Sequence, residues 1–182
     1  MGLLIKMEQA EMSKRVYIRE TLKRTFGSHI LAFEEWDILT IVIQKDALIS
    51  VLKFLYSDAT VPCTFLTDLC GIHFPDLSPP LLGVVYHLHA MSVGFRLRLK
   101  VLTPVSDPHI PTATVLFSSA NWMERETYDF YGIVFEGHPD LRRILNMDEM
   151  AYFPMRKEYP LEDPTRDDKS DVMFGREGGM RS

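Results

Sequence analysis

Residues 124–145 read Glu-Arg-Glu-Thr-Tyr-Asp-Phe-Tyr-Gly-Ile-Val-Phe-Glu-Gly-His-Pro-Asp-Leu-Arg-Arg-Ile-Leu. The order predicts a helix stopped by a glycine, a short apolar run, a turn, and then basic side chains. Asn121 suits the N-cap, and Glu124 three residues later completes a capping-box pattern. Gly132 stands where a left-handed residue closes a helix. At about 100° per residue, Trp122, Met123, Glu126, Thr127 and Phe130 share one side. Glu126 therefore falls in the apolar stripe, where a carboxylate is costly unless paired. His138, Arg142 and Arg143, just past the next turn, are its nearest expected partners. The alternative puts Glu126 at the stripe's edge, in water. Arg125 and Asp129 lie one turn apart on another flank and can pair, for only about 0.2–0.5 kcal/mol.

Upstream, Ser13 is a plausible cap for a helix reaching Phe26, with Ile18, Leu22 and Phe26 on one line and Gly27 as its stop. The β-branched run at 38–43 reads as a buried strand. Asp46 then caps a second helix whose apolar face is Leu48, Val51, Leu52 and Leu55. Residues 64–74 read as a strand with poor alternation, and the chain breaks at 76–80. The clearest strand pattern follows: Phe95, Leu97, Leu99 and Val101 alternate with Arg96, Arg98 and Lys100. With Val84, Tyr86 and Leu88 it predicts a hairpin turning at Ser92-Val93, which sets His89 opposite Arg96 and His87 opposite Arg98. Its basic face is either solvated sheet surface or a docking strip for an acidic partner. Residues 107–111 read as a loop and 113–117 as a last core strand. Helix, strand, helix, several strands and helix make an α+β chain: a two-layer domain with helices packed on a mixed or antiparallel sheet.

That domain is expected to span residues 1–145. From Asn146 the character changes. Pro154, Pro160 and Pro164, with the charged run at 166–169, leave no helical or strand period. Tyr152, Phe153, Met155, Tyr159 and Phe174 are nevertheless too many large apolar groups for a purely solvating linker. Residues 146–182 read as an extended C-terminal arm that lies along a partner, with folding back onto the core as the alternative.

Composition narrows the function. The chain has 182 residues, 46% hydrophobic and 25% charged, with a formal net charge of −5. That balance suits a globular domain and argues against general affinity for nucleic acid. No stretch reaches the roughly 18 apolar residues of a membrane span. The apolar opening at residues 3–5 is too short for a signal peptide, so membrane association is expected only through partners. The two cysteines, Cys63 and Cys70, cannot alone supply the thiolates of an iron–sulfur cluster. A zinc set of Cys70, His73, His87 and His89 is set aside because Arg96 and Arg98 would repel the ion. No nucleophile carries a recognisable base, and Glu124, Glu126 and Asp129 diverge around one helix. No catalytic, cofactor-binding or metal-ligating residue is assigned.

The stretch resembles the signature of the C subunit (NuoC) family of bacterial respiratory complex I, the NADH:quinone oxidoreductase. Glu124, Arg125, Glu126, Asp129, Phe130, Tyr131, His138, Arg142, Ile144 and Leu145 carry the match. A second similar stretch is Pro154-Met155-Arg156-Lys157-Glu158-Tyr159-Pro160-Leu161. The resemblance covers about residues 14–175 and looks like the form not fused to the large quinone-site subunit. It implies a non-catalytic subunit of the peripheral arm that binds no cofactor itself, within a complex using FMN, iron–sulfur clusters, NADH and quinone. The implied partners are the D (quinone-site) and the B and I (iron–sulfur) subunits, at the cytoplasmic face of a bacterial membrane. Docking is expected at Glu124, Arg125, Glu126, Asp129, His138, Arg142 and Arg143, with Arg156 and Lys157 on the arm. The same module in a membrane-bound hydrogenase or formate-oxidising complex is the alternative.

Overall fold

The computed structural model describes residues 2–159, with side chains from residue 9. Helix α1 runs Gly2–Phe26, so Ser13 lies inside it and does not start it. Ile18 and Leu22 are fully buried as their spacing requires, and Phe26 meets Phe54 edge-on at 5.6 Å between ring centroids. Strands β1 (Ile30–Glu35) and β2 (Leu39–Ile43) follow, then α2 (Leu48–Ser57). In α2 the four predicted apolar residues are the four buried ones. Asp46 does not cap this helix, because a short 3-10 turn over Lys45–Ala47 precedes it and Ala47 occupies the N-cap. Three ten-residue strands come next: β3 (Phe65–Phe74), β4 (Leu81–Ala90) and β5 (Phe95–Pro104).

The five strands form one mixed sheet in the order β1-β2-β5-β4-β3. The central β2–β5 pairing is parallel, and its neighbours are antiparallel. The β4–β5 register matches the alternation pattern: His89 faces Arg96 and His87 faces Arg98. The turn itself is longer than two residues, a 3-10 turn at Met91–Val93 followed by Gly94 at φ 60°. One face of the sheet, including Leu39, Ile41, Leu97, Leu99, Val84 and Tyr86, shares a single buried cluster with Ile18, Leu22, Leu48 and Leu52 of the helices. The predicted two-layer α+β arrangement is the one formed. On the other face Lys100 pairs with Glu34 at 2.9 Å, so part of the basic strip is neutralised within the sheet.

Strand β3 carries an irregularity that explains its poor alternation. Leu66 pairs with Leu88, but Asp68 pairs with His87, so one extra residue, Thr67, is inserted between them. Such a bulge exchanges the faces of all residues beyond it. Leu66 and Leu69 both turn into the core, while Asp68 and Cys70 turn out.

The last part of the domain departs most from expectation. Residues 113–117 form turns and not a strand, because Ala113 accepts backbone bonds from Leu116 and Phe117. The predicted loop instead contains β6 (His109–Pro111), which pairs in parallel with β7 (Val134–Glu136). Helix α3 (Ala120–Tyr131) lies between them in sequence and packs over β3. Gly71 of β3 permits that approach, since a Cβ there would stand 2.4 Å from the Tyr131 ring.

Candidate functional site

Helix α3 is rotated relative to the predicted apolar stripe. Its buried residues are Ala120, Glu124, Arg125, Thr127 and Asp129. Trp122 is 62% exposed and Glu126 is exposed, without an ion pair among the described residues. Glu126 is therefore not the buried carboxylate, and the alternative that left it in water is correct. The cause lies beneath the helix. Its inner side faces loop N–H groups that have no backbone acceptor and take the helix's carboxylates instead.

Glu124 serves the first of these loops. The β6–β7 pair, extended by the Thr112 N–H donating to Glu136 O at 3.0 Å, holds Thr112 and Ala113 under α3. Glu124 Oε2 accepts from the Thr112 hydroxyl at 2.6 Å, and Oε1 accepts from the Ala113 N–H at 2.7 Å. Its carboxylate is thus used away from the helix start, and no capping box forms. Ser119 is the N-cap, with no side-chain bond. Burial pushes the Glu124 carboxyl up to about 7, with the Thr112 and Ala113 bonds opposing that rise. His138 Nε2 lies 3.9 Å from Glu124 Oε2, both side chains being fully buried. The His138 ring accepts the Asp140 N–H at Nδ1 and faces Asn121 O from Nε2 at 3.1 Å, which assigns its proton to Nε2.

Asp129 serves the second loop. Its Oδ2 accepts the N–H groups of Ile144, Leu145 and Asn146 at 3.1, 2.8 and 2.9 Å. Its Oδ1 accepts from Asn146 Nδ2 at 3.0 Å and Arg143 Nη1 at 2.8 Å. Burial alone would raise this carboxyl, but the bonds from Asn146, Leu145 and Arg143 outweigh it and hold it well below the usual carboxylate range. Asp129 therefore pairs with Arg143, and the Arg125–Asp129 pair is absent. Arg125 instead donates to Arg142 O at 3.2 Å and lies 4.9 Å from the Trp122 ring centroid. Arg142 points outward, its side chain 70% exposed, bonded to Asp140 at 3.0 Å.

The first residues of the expected arm are fastened to the domain. Arg143 Nη2 donates to Met150 O and Tyr152 O at 2.8 and 3.0 Å. Arg156 Nε donates to Tyr131 O at 2.8 Å, and the guanidinium groups of Arg143 and Arg156 lie 5.0 and 4.8 Å from the Phe153 ring centroid. Phe153 packs where Gly132, at φ 73°, has no side chain; a Cβ there would stand 2.4 Å from the ring. The Lys157 N–H donates to His73 Nδ1 at 3.0 Å, while the Lys157 side chain is exposed. So the described part of this segment is fastened to α3 and β3 through Met150, Tyr152, Phe153, Arg156 and Lys157. The arm beyond Tyr159, with the end of the second similar stretch, lies outside the described residues.

The predicted residues thus separate into internal ties (Glu124, Arg125, Asp129, His138, Arg143, Arg156) and outward groups (Glu126, Arg142, Lys157). Thr112, Asn146 and Phe153 are ties that the sequence pattern did not reveal. A polar residue before a turn and a glycine needing a covering ring are the only signals for them. Each buried carboxylate is satisfied by backbone N–H groups and side-chain donors of the chain itself. The set Cys70, His73, His87 and His89 does not converge, since His73 is turned inward and bonded to Lys157.

Residues 41–165 match the family described as the respiratory-chain NADH dehydrogenase 30 Kd subunit. This chain belongs to that family. It is 40% identical over 157 residues to the NADH-quinone oxidoreductase C subunit 1 of Rhizobium meliloti (strain 1021), covering 85% of this chain and 75% of that protein. It is 36% identical over 164 residues to the corresponding C subunit of Methylorubrum extorquens (strain PA1), covering 88% and 74%. Against the C subunit of Nocardioides sp. (strain ATCC BAA-499 / JS614) it is 41% identical, covering 68% of this chain and 49% of that one. The solved trypsin-resistant fragment of Nqo5 superposes with a TM-score of 0.58 at 34% identity, over 70% of this chain and 99% of the fragment. A chain of an archaeal membrane-bound sulfane sulfur reductase shares the fold, with a TM-score of 0.67 at 20% identity, over 81% and 86%. Among the described residues, no helix is long and apolar enough to cross a membrane.

Proposed function

We propose that this chain is a non-catalytic structural subunit of the peripheral arm of a proton-translocating NADH:quinone oxidoreductase. It docks the D (quinone-site) and the B and I (iron–sulfur) subunits at the cytoplasmic face of the membrane. It holds none of the FMN, iron–sulfur clusters, NADH or quinone of the complex itself. Family membership supports the complex, and one observation carries the docking role. The signature's buried charges close on the chain's own backbone and side chains, locking α3, β3 and residues 143–156 together, while large apolar side chains stay outside. Trp122, Leu145 and Met147 are 62%, 64% and 70% exposed beside that lock. Rigid exposed apolar surface with a charged rim is the composition of an interface core. Glu126, Arg142 and Lys157 are the rim.

The test is co-purification through a tag on the full chain from its own membranes. Trp122→Ala with Met147→Ala should lower recovery of the quinone-site and iron–sulfur subunits while circular dichroism of the purified chain stays unchanged. Undiminished recovery from that double variant would overturn the docking surface. NADH oxidation by the isolated chain would overturn the non-catalytic reading.

A further inference from the structure

The open face of the sheet carries a side-chain cluster that docking does not use. Asp68 on β3 stands directly opposite His87 on β4, and Cys70 follows two residues along the same strand. The Thr67 bulge creates this arrangement. Without the extra residue, Asp68 and Cys70 would share the face of Leu66 and point into the core. With it, one donor atom each from Asp68, Cys70 and His87 lies within 4.8 Å of the other two. A carboxylate oxygen, a thiol sulfur and an imidazole nitrogen form a mixed set that zinc accepts, at about 2.0–2.3 Å from the metal. Drawing the donors to that radius takes small rotations of side chains at a partly open surface.

The charge balance also suits a dication. Asp68 and a Cys70 thiolate supply two negative charges, and both residues line a groove of about 350 Å³ with Glu126 on its wall. Arg98 is the opposing charge, across the ladder from His87. Its guanidinium lies 3.5 Å from the Thr40 hydroxyl and 3.8 Å from Asp37, and its positive charge still reaches His87 and Cys70, favouring a neutral imidazole and a thiolate. Arg96 faces His89 and not His87. Burial, helped by Arg98, lowers the basicity of His87 and favours the neutral ring that ligates metals. Burial and Asp68 hold the Cys70 proton on, so binding must displace it.

We propose that Asp68, Cys70 and His87 form a three-ligand zinc site, with water in the fourth position. On binding, the Cys70 S–H bond breaks, a Zn–S bond forms and one proton passes to solvent, with no change of oxidation state. The three ligands need only the β3–β4 pair, although the groove they line shares Glu126 with the rim of the docking surface.

The full-length chain, stripped with a chelator, is titrated with Co²⁺ by absorption and with Zn²⁺ by calorimetry. The expected result is saturable uptake of one equivalent, a thiolate-to-cobalt charge-transfer band, and a proton release that scales with buffer ionisation enthalpy. Cys70→Ser and His87→Gln should abolish the band and the stoichiometric uptake, and His89→Gln should keep both. Cys70 is exposed, so the serine variant is expected to fold, with circular dichroism as the check. No saturable uptake by the parent chain, or equal uptake by Cys70→Ser, overturns the site.

Discussion

Glu124 and Asp129 share one helix, yet their surroundings move their protons in opposite directions. The Glu124 carboxyl, raised from 4.5 to about 7, is protonated in the folded chain over a range where the unfolded chain has lost that proton. Its stabilising contribution is therefore full below about pH 4.5 and is lost as pH rises to about 7. Asp129 is depressed below its ordinary 3.8, so its contribution is present above that pH and lost on acidification. Glu124→Gln should remove a decline of about 3 kcal/mol between these two Glu124 values, by the linkage of about 1.4 kcal/mol per pKa unit. Urea unfolding across pH reads this directly, and parallel profiles for parent and variant would refute it. Asp129→Ala should cost about 3–5 kcal/mol by stranding Arg143 and three backbone donors. Glu126→Ala should change stability by no more than about 0.5 kcal/mol. That this helix buries a carboxylate is legible, but the buried ones are Glu124 and Asp129, and Glu126 is exposed. A helical wheel assumes an oily interior, whereas here the inward side meets loop amides that are paired only by the helix's own carboxylates.

Among the elements, β3 and α3 depend on two fine adjustments. Gly71→Ala forces a Cβ to 2.4 Å from the Tyr131 ring and should cost about 1–3 kcal/mol. Faster amide exchange in α3 than in β5 would mark the loosening as local; uniform loss of protection would show a different cause. Deleting Thr67 removes the bulge and sends Asp68 toward the core, so it should destabilise far more than Thr67→Ala. Equal melting temperatures for these two variants would show that the bulge is dispensable. Elements with a dense pattern were readable from sequence: the face of α2, the run in β2, and the β4–β5 register to the residue. β1 escaped because none of its residues is fully buried and its exposure is irregular, leaving no period to detect. β6 and β7 are three residues each and are held by pairing across the whole of α3. No local signal marks such a pair.

At the scale of the whole molecule, residues 146–159 act as a clasp over α3 and β3, so shortening the chain should have two distinct effects. Truncation after Tyr159 should leave the melting temperature of the domain within a few degrees of the parent, because the bonds of the clasp are all retained. Truncation after Leu145 should lower it, since Phe153 and the Arg156–Tyr131 bond go. A common melting temperature for both truncations would count against the clasp. The parallel seam in the centre of the sheet has a further consequence. Leu39 pairs with Leu97, about sixty positions later, so the β1–β2 hairpin can pair with each other early but has no third strand beside it until the fifth has been made. On a ribosome the leading third of this polypeptide must wait, its oily side uncovered, while the three-strand meander forms from sequence-near pairings. The lag before the seam closes is the interval in which this protein most needs a chaperone.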